Sequence, residues 1–203
     1  MKLFKNFRDQ FVKPEGLLGR LAGFLMYWAG REKNRWTLSL LKLQKEDHVL
    51  EIGFGPGVAI HMAAQKVPKG LVVGIDYSEI MVRQALKRNR AAVEAGRVQL
   101  LKADVNALPT FSTTFDKVFS VNSIIFWREP SAVLKAIRQQ MNPNGLIAVT
   151  VQPYEKGATR QTAEEIGAQI VAYLKQAGFS QIRMELKEMK PAPAVCVLGV
   201  NLC

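Results

Sequence analysis

The chain has 203 residues, of which 48% are hydrophobic, and it carries 28 Lys and Arg against 17 Asp and Glu, a formal net charge of +11. This length and hydrophobic content predict one domain that is large enough to enclose a ligand, and the 22% of charged residues argues against a disordered chain. The longest apolar run, residues 21–30, is about half of what a membrane-spanning helix needs. We therefore assign no membrane span.

The two cysteines argue against a protein that is stabilised by disulfides or by a structural zinc ion. Cys196 and Cys203 lie close together near the C-terminus, and two thiols provide neither a disulfide framework nor a four-ligand zinc site. No small-residue cleavage site follows an apolar core near the N-terminus, so we predict no removable secretion signal. We expect a cytoplasmic protein without a metal site.

The positive charge is concentrated in residues 1–45, which hold ten basic and three acidic side chains and so contribute +7 of the net charge. Phe4, Phe7 and Phe11 have the spacing of one helix face. We predict a basic amphipathic helical arm or lid here, followed by a second unit over residues 46–203. The arm either packs on the domain, covers a hydrophobic substrate or contacts an anionic membrane surface. Nucleic acid is a disfavoured partner, because the cations form no dense run.

In chain order, short apolar strands then alternate with helices. This alternation predicts an α/β domain with a mostly parallel sheet that helices cover on both faces. The last two strands are too close in sequence for a crossover helix, so they should pair antiparallel. The predicted strands are 47–52, 70–75, 97–102, 116–121, 145–151, 180–187 and 194–202, and the predicted helices are 58–66, 78–95, 130–140 and 159–177.

The most informative motif is a glycine-rich turn at residues 49–57, which read VLEIGFGPG. Glycines allow positive φ angles and let a backbone approach a ligand closely. Asp76 follows the second strand, where a carboxylate can accept hydrogen bonds from both ribose hydroxyls. Val58 occupies the sixth position of what would be a dinucleotide fingerprint, and no Walker-type phosphate loop is present. The spacing favours a nucleoside-bearing cofactor.

Over residues 46–203 these segments resemble the class I S-adenosylmethionine-dependent methyltransferases. Further segments that carry the resemblance are KADVNALP at 102–109, FDKVFSVN at 115–122 and the turn at 141–145, where Asn144 stands in place of the usual glycine. Asn tolerates the left-handed conformation that this turn requires. The resemblance implies a Rossmann-like, doubly wound, seven-stranded sheet with a C-terminal antiparallel strand pair.

The resemblance also implies S-adenosylmethionine as cofactor and S-adenosylhomocysteine as product. It places the glycine loop around the methionyl part, Asp76 on the ribose, Tyr77 against the adenine, and the segment after the third strand at the adenine amino group. The implied cofactor-binding residues are Glu51, Gly53, Gly55, Gly57, Asp76, Tyr77, Asp104, Val105 and Asn122.

A small, hydrophobic methyl acceptor is expected beyond the carboxyl ends of the strands, for example a quinone-like ring, a lipid or another metabolite. The residues predicted to contact it are Tyr27, Trp28, Ser123, Phe126, Trp127 and Tyr154. No catalytic residue is assigned, because His48, His61 and Glu129 are weak candidates for a general base. Two alternatives stay open: an RNA methyltransferase and a non-catalytic S-adenosylmethionine-binding regulator. The sequence after the fourth strand, NSII, lacks the N-P-P-Y type motif of nucleic-acid amino methylation.

Overall fold

Seven strands form one sheet in the order β3-β2-β1-β4-β5-β7-β6 in the computed structural model, which describes residues 30–202. Strands β1 to β5 run parallel, and β7 pairs antiparallel with both β5 and β6. The predicted α/β class and the closing antiparallel pair are confirmed. The strands are β1 (His48–Ile52), β2 (Leu71–Asp76), β3 (Val98–Lys102), β4 (Phe115–Val121), β5 (Met141–Val151), β6 (Ser180–Lys187) and β7 (Ala194–Asn201).

Helices cover both faces of this sheet. Their described bounds are α1 (30–41), α2 (Val58–Lys66), α3 (Glu79–Arg88), α4 (Arg90–Glu94), α5 (Pro130–Gln139) and α6 (Arg160–Gln176), with 3₁₀ turns at Val105–Ala107 and Ile124–Phe126. One apolar cluster lies between the sheet and helices α5 and α6, and the other lies beneath α1, α2 and α3. In the described part of the chain, no helix is both long enough and apolar enough to cross a membrane.

The order of the strands places the site. Strand β1 lies in the middle of the parallel part, with β2 on one side and β4 on the other. The chain therefore leaves neighbouring strands in opposite directions at β1 and β4, which opens a crevice at their carboxyl ends. The loops after β1, β2, β4 and β5 all reach this edge, and we refer to it as the carboxyl edge.

The predicted helix 78–95 is wrong in one respect, because it is broken at Asn89 into α3 and α4. The Asn89 side chain is 2% exposed, and its Nδ2 donates to the carbonyl oxygens of Ala85 at 2.9 Å and Gly57 at 3.1 Å. A short polar side chain that bonds to nearby backbone competes with a continuing helix. Asn89 thereby ties the end of α3 to the glycine loop.

Strand β5 begins earlier than predicted, at Met141 instead of Gly145. Met141 pairs with Phe115 of β4, and the pairing is irregular before it resumes between Lys117 and Leu146. Asn144 has a φ of 60°, the left-handed conformation expected there. The predicted turn is therefore an irregularity within a paired strand.

The described part of the arm is packed into the domain, since α1 buries Leu38 and Leu41 to 1% and 0% exposure. These side chains belong to the cluster beneath α1 and α2. The predicted boundary at residues 45 and 46 falls in the turn between α1 and β1. Residues 1–29, with the phenylalanine-rich part of the predicted arm, lie outside the described residues.

Substitution of Leu38→Ala should therefore lower the free energy of unfolding by about 2 to 5 kcal/mol, because it leaves a cavity in a buried cluster. Leu86→Ala, at a side chain that is 38% exposed, should change it by less than about 1 kcal/mol. Urea unfolding followed by circular dichroism measures both values. A loss in Leu38→Ala as small as the loss in Leu86→Ala would show that α1 is not part of the cooperatively folded unit.

Candidate functional site

The three glycines after β1 are required for different reasons. A Cβ on Gly53 would lie 2.5 Å from the Cβ of Ser123, and one on Gly57 would lie 2.6 Å from the Cβ of Ala85. A Cβ on Gly55 would meet no atom within 4 Å. All three have positive φ angles, from 52° to 74°. Gly53 and Gly57 thus allow close packing of the protein itself, and Gly55 is the glycine that faces open space.

Asp76 at the end of β2 organises this loop. One carboxylate oxygen accepts a hydrogen bond from the Gly55 backbone N–H at 2.8 Å, and the other accepts one from the Ser78 N–H at 2.8 Å. Ser78 in turn caps α3 through its hydroxyl, which accepts from the Met81 N–H. A carboxylate oxygen can accept more than one hydrogen bond, so Asp76 retains capacity for further donors.

Glu51 lies beneath the glycine loop and is 3% exposed. Burial raises the pKa of this carboxyl to about 8, the negative charge of Asp76 adds to the increase, and a hydrogen bond with the Ile60 backbone opposes it. Its Oε2 atom is buried without a hydrogen-bond partner among the described residues. A protonated, partly unpaired carboxyl is therefore held beside an anion at the carboxyl edge.

The loop after β3 brings Asp104 to the same edge, where it caps the turn Val105–Ala107. Its Oδ1 accepts from the backbone N–H of Asn106 at 2.9 Å and from the Asn106 side chain at 2.7 Å, and these bonds lower the pKa of Asp104. Asn106 also accepts from the Arg128 N–H at 2.8 Å, which joins this loop to the one after β4. The Tyr77 ring, predicted to pack on an adenine, is 76% exposed.

The residues predicted around the acceptor divide into a packed set and an exposed one. The Ser123 hydroxyl donates to the Ile52 carbonyl at 2.9 Å and accepts from the Trp127 indole N–H at 3.2 Å. Trp127 is 6% exposed and belongs to the core, whereas Phe126 is 44% exposed. Ser123 and Trp127 thus support the loop after β4, and Phe126 presents an apolar ring at its surface.

Tyr154 follows β5 and lies within a polar cluster that the motifs did not reveal. Lys33 of α1 contacts the Tyr154 oxygen at 2.5 Å and donates to Gln152 Oε1 at 3.2 Å. Lys33 is 3% exposed and Gln152 is 1% exposed. Burial lowers the pKa of Lys33 to about 7. Two segments that are distant in sequence, α1 and the residues after β5, meet here, so no local spacing could have indicated the cluster.

The weak base candidates lie away from this cluster. His48 opens β1 at the opposite edge, where its Nδ1 lies 2.8 Å from the Thr113 hydroxyl. His61 lies on the exposed side of α2, 3.1 Å from Gln65. Glu129 precedes α5 without capping it through its side chain. The predicted acceptor contacts Tyr27 and Trp28 lie outside the described residues.

Comparisons with known proteins place the chain in a family. The family described as "Methyltransferase domain" matches residues 49–145. Uncharacterized methyltransferase YdaC of Bacillus subtilis is 32% identical over 176 residues, which are 87% of this chain and 95% of that protein. The ubiquinone/menaquinone biosynthesis C-methyltransferase UbiE of Geobacter sulfurreducens is 29% identical over 147 residues, 70% of this chain and 56% of that protein.

A solved structure shows the same fold. The SAM dependent methyltransferase from Aquifex aeolicus superposes with a TM-score of 0.67 at 23% identity and covers 83% of this chain and 89% of that one. The predicted Rossmann-like architecture is confirmed by this likeness and by the strand order.

The raised pKa of Glu51 predicts a pH-dependent stability. An unfolded chain releases the Glu51 proton near pH 4.5 whereas the folded chain retains it to about pH 8, so stability should fall as pH rises through this window. Glu51→Gln, which mimics the protonated form, should be similar to the unsubstituted protein at pH 5 and more stable than it at pH 8. The gain should reach up to about 4 kcal/mol.

Urea unfolding at both pH values, without added ligand, measures this difference. Glu46→Gln, an exposed carboxyl that pairs with Lys69, is the matched control and should show no such gain. If the free energy of unfolding changes equally between pH 5 and pH 8 in Glu51→Gln and in the unsubstituted protein, Glu51 is ionised in the folded state.

Proposed function

We propose that this chain, which belongs to the class I S-adenosylmethionine-dependent methyltransferases, transfers the methyl group to a small, hydrophobic acceptor such as a quinone-like ring or a lipid. The observation that carries the proposal is the arrangement of the carboxyl edge. Two carboxyl groups and a glycine loop lie on its β1 and β2 side, and the exposed Phe126 ring and the half-buried Tyr154 lie on its β4 and β5 side.

The residues on the β1 and β2 side fit the cofactor. The Oε2 atom of Glu51 is buried and has no hydrogen-bond donor among the described residues. The ammonium group of the methionyl part can provide such a donor. The open space at Gly55 admits a ligand to the backbone, and the Asp76 carboxylate has remaining capacity for ribose hydroxyls. We assign Glu51, Gly55 and Asp76 to the methionyl and ribose parts.

The adenine is assigned to the loops after β2 and β3. The exposed Tyr77 ring offers a face for stacking. Asp104 uses Oδ1 for Asn106, and Oδ2 stays available as an acceptor for the adenine amino group. Val105 of the same turn packs against the core and so anchors this loop to the sheet. When bound, S-adenosylmethionine supplies a methyl carbon whose bond to the sulfonium breaks as an acceptor atom attacks it in line.

The protein then contributes to the reaction by positioning the acceptor and by excluding water. A positioned acceptor converts a bimolecular encounter into an effectively unimolecular step. Phe126 and Tyr154 provide apolar area that favours a ring or an aliphatic chain over a charged metabolite. The likeness to a ubiquinone/menaquinone C-methyltransferase supports the same class of acceptor.

Isothermal titration calorimetry with S-adenosylmethionine and S-adenosylhomocysteine tests the cofactor site. Asp76→Ala should weaken binding of both by about tenfold to a hundredfold, because it removes acceptors of charge-assisted hydrogen bonds. Asp76→Asn keeps one acceptor oxygen and should lose less. Glu94→Gln, on the exposed side of α4, is the control and should bind normally. An unsubstituted, folded protein that binds neither ligand would refute the proposal.

Formation of S-adenosylhomocysteine from added acceptors then separates an enzyme from a regulator that only binds the cofactor. A panel of quinols, fatty acids and short RNAs includes the alternative acceptor classes. Turnover confined to RNA, with strong salt sensitivity, would favour the RNA methyltransferase.

Contact with an anionic membrane through residues 1–29 is a second proposal, and it rests on their cations and apolar residues. Vesicles that contain phosphatidylglycerol should retain the protein in co-sedimentation more than neutral vesicles do, and added salt should reduce this retention. Replacing Lys2, Lys5 and Arg8 with Gln should reduce it as well, whereas Lys66→Gln in α2 should not. Equally weak retention on both kinds of vesicle would contradict the proposal.

A further inference from the structure

A cluster of the buried Lys33 and Gln152 with the half-buried Tyr154 and Asn122 joins helix α1 to the ends of β4 and β5. Gln152 Nε2 donates to the carbonyl oxygens of Lys190 at 3.0 Å and Ala192 at 2.9 Å, so its Oε1 is turned toward Lys33. The Lys33 amine therefore faces an amide oxygen on one side and the Tyr154 oxygen on the other. Both are neutral partners.

Asn122 is oriented in the same way. Its Oδ1 accepts from the Gln152 backbone N–H at 2.8 Å, which leaves its Nδ2 to donate to Tyr154. Asn122 has a φ of 57°, a left-handed conformation that asparagine tolerates better than most non-glycine residues. The directed Asn122 amide holds the Tyr154 oxygen at the carboxyl edge.

A lysine in this setting is costly when it is charged. Residues 30–202 place no carboxylate within ion-pair distance of Lys33, and Glu32, its neighbour on α1, pairs instead with Lys187 of β6 at 3.1 Å. Thr150 of β5 and Gln152, just after that strand, are uncharged, and the segment before β7 contributes backbone oxygens. Isolated burial of an ammonium favours its neutral form. A neutral amine donates to Gln152 and can accept the hydroxyl proton of Tyr154.

The position of Lys33 is rigid. The Thr37 hydroxyl, one turn later on α1, bonds to the Lys33 carbonyl at 3.0 Å and lies 2.7 Å from the Thr150 hydroxyl of β5. Thr37 and Thr150 are both 0% exposed. The helix is thus fastened to β5, and Gln152 and Tyr154 follow directly after this strand.

We propose that Tyr154 and Lys33 form a proton-accepting pair for a methyl acceptor that bears a hydroxyl group. Tyr154 is the catalytic residue, because it contacts the acceptor. Lys33 is a positioning residue that acts through Tyr154 and receives the proton from it. The inference rests on the proposed function and deepens it, since it selects hydroxyl acceptors, such as phenols and quinols, whose proton must leave during the reaction.

The proton and electron balance is complete. The acceptor hydroxyl gives its proton to the Tyr154 oxygen, and Tyr154 passes its own proton to the Lys33 amine, which becomes an ammonium. The acceptor's electron pair forms the new bond to the methyl carbon, and the electrons of the broken carbon–sulfur bond stay on sulfur. Lys33 then releases its proton to solvent before the next turnover.

The first test needs no acceptor. Lysines labelled with ¹³C and ¹⁵N are titrated by NMR in the protein without ligand, and the Lys33 signal is assigned by its loss in Lys33→Met. We expect Lys33 to titrate near pH 7, well below the exposed lysines, because burial opposes its charge. Tyr154→Phe should move this titration, whereas Tyr173→Phe, a matched tyrosine on α6, should not. A Lys33 that titrates together with the exposed lysines would overturn the proposal.

The second test uses the enzyme with S-adenosylmethionine and three probes: 2-naphthol, which keeps its proton at pH 8, 4-nitrophenol, which is ionised there, and benzylamine. Lys33→Met and Tyr154→Phe should each lower the rate on 2-naphthol by at least about a hundredfold. They should lower the rate on 4-nitrophenol by less than about threefold, because that acceptor needs no base. Lys66→Met and Tyr173→Phe are the controls.

The pH dependence of the reaction is a further readout. The rate on 2-naphthol should rise with pH through the Lys33 titration, and this rise should be absent in Lys33→Met.

The outcomes separate the two proposals. Equal losses on both phenols would make the cluster structural only, and turnover of benzylamine but of neither phenol would leave a methyltransferase without this pair. No S-adenosylhomocysteine from any probe or panel acceptor, in a protein whose Lys33 titrates low, would contradict the proposed function instead.

Discussion

The Asp76 carboxylate is the group on which the geometry of the site depends. It holds the Gly55 and Ser78 backbone N–H groups at the same time, so the end of β2, the glycine loop and the start of α3 share one anion. Helix α3 ends at Asn89, whose side chain bonds back to Gly57. The loop is thus fastened at Gly55 by Asp76 and at Gly57 by Asn89. A fastened loop presents its open face at Gly55 without having to reorganise when a ligand arrives.

Loss of solvent shifts the titration of two buried ionisable groups at the carboxyl edge toward their neutral forms. Glu51 has its pKa raised to about 8 by burial and by the neighbouring Asp76, and Lys33 has its pKa lowered to about 7 by burial. Neither group has an ion-pair partner among the described residues. Each group instead changes its charge when a partner supplies what it lacks, a cation for Glu51 and a proton for Lys33. Such poised groups are characteristic of functional sites.

The local patterns predicted the elements well, because each strand is a short apolar run and each long helix begins or ends with a recognisable signal. Thr159 caps α6 and Gly178 follows its end with a φ of 88°, both as the residue types indicate. The break at Asn89 could not be predicted, because it depends on a bond to Gly57 across the fold. The sequence pattern groups Lys33 with the other cations of the predicted amphipathic arm, because only the packing of α1 on β5 shows that it is buried.

The family match contains all the predicted cofactor residues but only part of the Lys33 cluster. The nine predicted cofactor residues, from Glu51 to Asn122, all fall within the matched residues 49–145. Lys33, Gln152 and Tyr154 lie outside that range, on either side of it in sequence, and the sheet brings them together because α1 packs on β5. Chemistry that is common to a fold's many enzymes resides in its shared segment, and selectivity comes from groups added around it. Helix α1 lies outside the matched residues, and it contributes both to the buried core and to the polar contacts of Lys33.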